Sequence, residues 1–84
     1  MVRVNLSPNE KWGRWMVVSP LTGRMRPIEQ VFTRVYGLYD VPPGTILARV
    51  GDDVEYFIVR RDGELERLSD KMVKMYRRAW RKTR

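Results

Sequence analysis

Seven basic side chains and no acidic one lie between Lys71 and Arg84. At 100° per residue, Lys71, Lys74, Arg77, Arg78, Arg81 and Lys82 occupy one arc of a helix. Met72, Val73, Tyr76, Ala79 and Trp80 gather within roughly a third of the circumference opposite. A helix docked by that apolar stripe holds out a ridge of fixed positive charge. Like charges at i,i+4, such as Lys74 with Arg78 and Arg78 with Lys82, repel each other. A polyanion relieves that repulsion, and phosphate neutralisation is the chemistry these residues suit.

A second group is Lys11-Trp12-Gly13-Arg14-Trp15, with Arg24 and Arg26 expected on the adjacent arm of a hairpin. Exposed aromatic rings interleaved with Arg stack on bases and neutralise the backbone of single strands, or wedge into a duplex groove. Strand alternation puts Trp12, Arg14 and Met16 on one face and Gly13, Trp15 and Val17 on the other. Trp15 is therefore expected in the core and Trp12 partly exposed.

Catalysis has little to work with. The chain has no Cys and no His, which removes disulfides, zinc ribbons and the commonest acid–base group. No Ser, Thr or Lys stands in an activating motif, and the six Gly are scattered rather than gathered into a phosphate-cradling loop. Asp52, Asp53, Glu55, Asp62, Glu64 and Glu66 are the acids that a metal nuclease would use. However, Asp52-Asp53 and Asp62 fall in turns at opposite ends of one strand, roughly 25–30 Å apart at strand rise. They read as turn formers and a solvated strand face. The expectation is a protein that is not an enzyme and holds no metal or cofactor.

Charge is unevenly spread. The net value is +7, made of +4 over residues 1–51, −4 over 52–70 and +7 over 71–84. A sequence pI near 10.4 is in the range of nucleic-acid binders. The acidic middle confines the basic surface to part of the molecule. No apolar run approaches the length of a membrane span, and Met1-Val2-Arg3-Val4 does not read as a secretory signal. Membrane association is not expected, and an intracellular, cytoplasmic location is. Two Asn, one Gln, no Cys and 32% charged residues resemble thermophile composition.

The elements that must position these groups follow from periodicity. Val2, Val4 and Leu6 alternate with polar residues as a short strand, and Arg14 to Val18 reads as a second. Ser19-Pro20-Leu21-Thr22-Gly23 turns the chain so that Arg24-Met25-Arg26 pairs back. Pro27 suits the first position of a helix, and Ile28, Val31, Phe32, Val35 and Tyr36 follow helical spacing over residues 28–36, with Gly37 to end it. Val31, Thr33 and Val35 are β-branched and also alternate, the competing strand reading. Asp40-Val41-Pro42-Pro43-Gly44 reads as a rigid connection. Thr45–Val50, Val54–Arg61 and Glu64–Leu68 then form a three-stranded antiparallel meander, with a tight two-residue turn at Asp62-Gly63. Ser69 caps the final helix, and Leu68 and Val73 staple its entry.

From Pro27 onward the expected order is α-β-β-β-α, as in double-stranded-RNA-binding domains. Ser69-Asp70-Lys71-Met72 stands where their Gly-rich and Lys-Lys signature opens the second helix, and the aromatic signature of RRM domains is missing. No family is assigned on that order.

The chain over residues 1–84 is thus expected to be one small α+β domain. It combines a three-stranded meander, N-terminal strands, a short middle helix, and a basic C-terminal helix packed through Met72, Val73, Tyr76 and Trp80. Its expected function is non-catalytic binding of DNA or RNA, mainly at the phosphate backbone. The alternative is an interaction module that meets an acidic protein surface, or a homodimer. If Trp12 is a stacking platform, Trp12→Ala weakens binding of a single-stranded oligonucleotide by about 1–3 kcal/mol. The salt dependence stays unchanged, because no charge is lost; unaltered affinity in a titration excludes that role.

Overall fold

The computed structural model describes residues 1–6 and 13–82, with side chains given through Arg81. The chain runs β1 (Val2–Val4), β2 (Arg14–Val18), β3 (Met25–Pro27), α1 (Ile28–Val31), β4 (Arg34–Val35), β5 (Leu38–Val41), β6 (Ile46–Val50), β7 (Val54–Val59), β8 (Leu65–Arg67) and α2 (Asp70–Lys82). The strands form two antiparallel sheets, a large one in the order β3-β2-β6-β7-β8 and a small one in the order β1-β5-β4. The α+β class, the β6-β7-β8 meander, the β2–β3 hairpin and the C-terminal helix agree with the sequence reading.

Register decides what each strand buries. In the large sheet Met16 lies beside Ala48 and Ala48 beside Tyr56, while Val17 lies beside Leu47 and Leu47 beside Phe57. Alternation thus turns Val18, Ile46, Ala48 and Tyr56 to one face and Val17, Leu47 and Val59 to the other. Both faces are covered, which is why the middle of the meander is apolar on both parities. The small sheet and α1 cover one face, joining Val4, Leu6, Ile28 and Val41 to Leu47 and Val59. The helix α2 covers the other, bringing Trp80 onto Val18, Ile46, Ala48 and Tyr56. Among the described residues no polar or charged side chain is buried, so these cores need no internal ion pairs.

The middle of the chain departs from expectation. Instead of running to Tyr36, α1 ends after one turn, and Phe32 is already extended at φ −124° and ψ 150°. Val31 still closes α1, but beyond Phe32 the strand reading prevails, because Arg34–Val35 pair with β5 and so satisfy backbone that a longer helix would have used. Pro27 is the last residue of β3, not the first of the helix. Tyr36 and Gly37 form the turn between β4 and β5, and both have positive φ, 51° and 78°. Asp40 and Val41 belong to β5 and pair with Arg3 and Val2, so only Pro42-Pro43-Gly44 is left to connect. With β4 and β5 inserted before the meander, the chain no longer follows the order of double-stranded-RNA-binding domains.

Two smaller corrections concern turns and packing. The β7–β8 loop has three residues between Arg60 and Glu64, whose backbones bond at 2.9 Å, with Gly63 at φ +86°. Asp62 accepts the Glu64 amide at 2.9 Å, which favours the longer loop over a two-residue turn. On α2, Met72 and Ala79 are exposed, and the seam narrows to Val73, Tyr76 and Trp80. Ser69 caps as expected: its hydroxyl accepts the Met72 amide at 3.3 Å.

Trp80 is the anchor of that seam. Its Nε1 donates to the Pro20 carbonyl at 3.0 Å, and its ring stacks on Tyr76 and tilts against Tyr56. The ring lies over Gly23, where an added Cβ would sit 2.5 Å from it, and Gly23 has φ +75°. Trp80→Ala is expected to cost about 3–5 kcal/mol, because it empties a large apolar site. Gly23→Ala should cost about 2–3 kcal/mol from strain and overpacking, and only the strain, about 1 kcal/mol, in the Trp80→Ala background. Denaturant melts of both single variants and the double variant measure the coupling, and simple additivity would dissociate Gly23 from the indole.

Candidate functional site

Amphipathic spacing and the Ser69 cap build α2, and the Trp80 clamp fixes its rotation. With Val73, Tyr76 and Trp80 turned inward, Arg81, Lys74, Arg78 and Lys71 fall within an arc of roughly 80° on the outer side. All four are exposed. The arc is about 15 Å long at helical rise. Among the described residues no ion pair engages any of them; the pairs present are Arg3–Asp40, Arg49–Glu55 and Arg60–Asp62. Asp70 is the one acid on the helix and stands in its first turn, where it complements the helix dipole.

Arg77 is placed differently from its neighbours. It lies beside the packing seam, with its guanidinium carbon 5.9 Å from the centre of the Tyr56 ring. There it lids the second core as a cation–π contact, so part of its role is structural. The side chain of Lys82 lies outside the described residues, though its position continues the arc past Lys71.

The arc has an apolar border, of which Met72 and Ala79 were expected in the packing stripe. Met75 is 59% exposed and Met72 41% exposed, and with Ala79 they run along α2 at i, i+3 and i+7 between the basic arc and the seam. Helical spacing alone shows such a strip, but it cannot say which edge of a wide stripe the sheet covers.

The second expected patch is divided. Arg14 shares its face with Met16 and Val18, the side that α2 covers. Arg26 pairs with Val17 and Arg24 stands beside Ser19, the opposite parity. All three are exposed, but register does not bring Arg14 onto the face of the Arg24–Arg26 arm. Trp12 lies outside the described residues. Trp15 is half-buried against the first core and tilts on Phe57 at 5.5 Å.

Beside Trp15 the fold assembles a group that spacing did not reveal. The Arg49 guanidinium lies 5.7 Å from the Trp15 ring centre and 5.5 Å from that of Phe57. It donates to Glu55 Oε2 at 2.6 Å. Arg49 and Glu55 face each other across β6 and β7, with Trp15 on the other side of Arg49. The charge of Arg49 is thus paired with Glu55 at a half-buried site and offers little to a partner. An Arg inside an otherwise apolar strand was the available signal, and only the register identified its neighbours.

Trp15 and Arg14 also line a wide cleft of about 1060 Å³ together with Ile28, Glu29, Arg34 and Tyr39. Among the described residues no three Asp or Glu side chains gather where a metal ion would sit. Glu55 and Asp62 are instead engaged by Arg49 and Arg60. Also among the described residues, no helix is long and apolar enough to cross a membrane.

Comparison with family models, with curated proteins and with solved structures gives no match. The chemistry of the exposed groups is therefore the ground on which function is argued.

Proposed function

We propose that the protein binds nucleic acid without catalysis, through phosphate contacts made by the outer arc of α2. The observation that carries this reading is the set Lys71, Lys74, Arg78 and Arg81, exposed on one rigid arc and engaged by no carboxylate among the described residues. Holding like charges at i,i+4 costs stability in the free protein, and a polyanion offsets that cost. A duplex carries one negative charge per about 1.7 Å of axis, so a 15 Å ridge meets several phosphates at once. Arg24 and Arg26 lie on the other face of the large sheet and add positive field without joining the ridge. Contacts of this kind fix position on the backbone and do not read sequence.

One observation favours a second reading. The strip of Met72, Met75 and Ala79 beside the basic arc suits an acidic protein surface with apolar residues of its own. In that reading the same helix is a protein-binding face, and the basic arc pairs with carboxylates at its edge.

Titration with duplex DNA, single-stranded DNA and structured RNA at several salt concentrations tests the first reading. With about four to five phosphates engaged, log K falls against log salt with a slope near roughly −4. Replacing Arg78 and Arg81 with Ala flattens the slope by about two units and leaves the melting temperature nearly unchanged. Met72→Ser with Met75→Ser leaves oligonucleotide affinity intact. Salt-independent binding, or affinity lost with the methionines instead of the arginines, would overturn the phosphate reading.

A further inference from the structure

We infer that Tyr36, at the tip of the β4–β5 hairpin, is a stacking contact for an unpaired base, with Arg34 beside it to meet the strand's phosphate. The inference rests on the nucleic-acid reading and adds to it a kind of strand: single, with at least one base turned outward.

The motive begins with a conflict between residue and backbone. The β4–β5 turn has two residues, Tyr36 and Gly37, between the paired Val35 and Leu38. Both have positive φ, as a type I′ turn requires. Gly37 suits such a position and Asn or Gly would suit the first one. Tyr36 is the one non-glycine with positive φ among the described residues. A bulky L-residue in that region is strained, and strain of this kind persists where something other than folding retains it.

Packing does not retain it. Tyr36 is 92% exposed, more than any other large hydrophobic side chain described. Its neighbours in sequence anchor the hairpin while the ring itself stands in solvent. The phenol is therefore a presented surface: a flat aromatic face on a short rigid turn, with few rotatable bonds to immobilise on contact.

Charge indicates the partner. Arg34 precedes the turn, and its Nη2 lies 4.0 Å from where a Cβ on Gly37 would stand, so the guanidinium rests against the turn. Arg34 is exposed, and among the described residues no ion pair engages it. An aromatic face next to an unneutralised guanidinium is the pairing that holds single strands, the ring for the base and the cation for the phosphate. Arg34 also lines the cleft with Arg14, Trp15 and Tyr39, where Glu29 is the one acid among the described residues. A strand stacked on Tyr36 meets two guanidinium groups there.

The test compares wild type with Tyr36→Ala, Tyr36→Phe and Tyr36→Asn on labelled oligonucleotides of sixteen or so nucleotides, single-stranded and duplex. Tyr36→Asn is the informative variant, because Asn accepts positive φ and relieves the strain. It is expected to raise the melting temperature while lowering single-strand affinity about tenfold. Tyr36→Ala loses a similar factor, Tyr36→Phe keeps the wild-type affinity, and none changes the salt slope or duplex binding. Wild type that binds no oligonucleotide overturns the nucleic-acid reading itself. Wild type that binds while Tyr36→Ala and Tyr36→Asn retain its affinity overturns the stacking role alone. Equal losses on single strand and duplex would do the same, since a paired base has no free face to offer.

Discussion

The clamp on Trp80 is the constraint on which the outer surface depends. The helix α2 meets the large sheet through side chains, with Trp80 inserted between the Pro20–Gly23 turn and the Tyr56 ring. Its indole hydrogen bond ties the end of the chain to a turn sixty residues earlier. A flat ring held by a directional bond over a glycine has one seating, so the helix has one rotation about its axis. That rotation decides which side chains face water. Turned by a third of a circle, α2 would bury cations and expose aromatic rings.

The large sheet works as a shared wall between two cores. Its alternate residues serve the small sheet on one side and α2 on the other, so each strand contributes to both. Exposed charged and aromatic groups are therefore pushed to the periphery: the outer arc of α2, the tip of the β4–β5 hairpin and the rim of the cleft. Arg49 shows what becomes of a cation nearer the centre. It lies against both Trp15 and Phe57 and is paired with Glu55, a structural use of the same chemistry.

Much of this was legible in the sequence where one local signal stood without a rival. The meander followed from apolar runs separated by Gly and Asp, and α2 from its cap and its periodicity. Trp80 was readable as core because it lies on the apolar stripe with Tyr76 and Val73. The short middle helix was legible from its start at Ile28, but the span from Phe32 to Val41 was misread because two periods overlap there: Ile28, Val31, Phe32 and Val35 fit a helix, whereas Val31, Thr33 and Val35 fit a strand. Local pattern does not choose between them. The pairing of β5 with β1, about thirty-five residues upstream, does. The same long-range pairing turned Tyr36 from an expected core residue into an exposed one. For α2 the arc of charge was legible, whereas its exposed methionines were not, since the width of a buried stripe depends on the shape of the surface that receives it.

The edges of the large sheet have a consequence for how the protein behaves in a crowded solution. One edge is β3, three residues long, where Pro27 lacks a backbone donor and Arg26 stands exposed. The other is β8, also three residues, with Glu66 and Arg67 exposed. A strand arriving from a second molecule finds too few bonds to form a ladder, a missing N–H at one edge and charges to desolvate at both. The central strand β6 is paired along its whole length on both sides, and β8 covers β7 from Phe57 to Val59. Short, charged edges of this kind blunt the addition of a further strand to the large sheet.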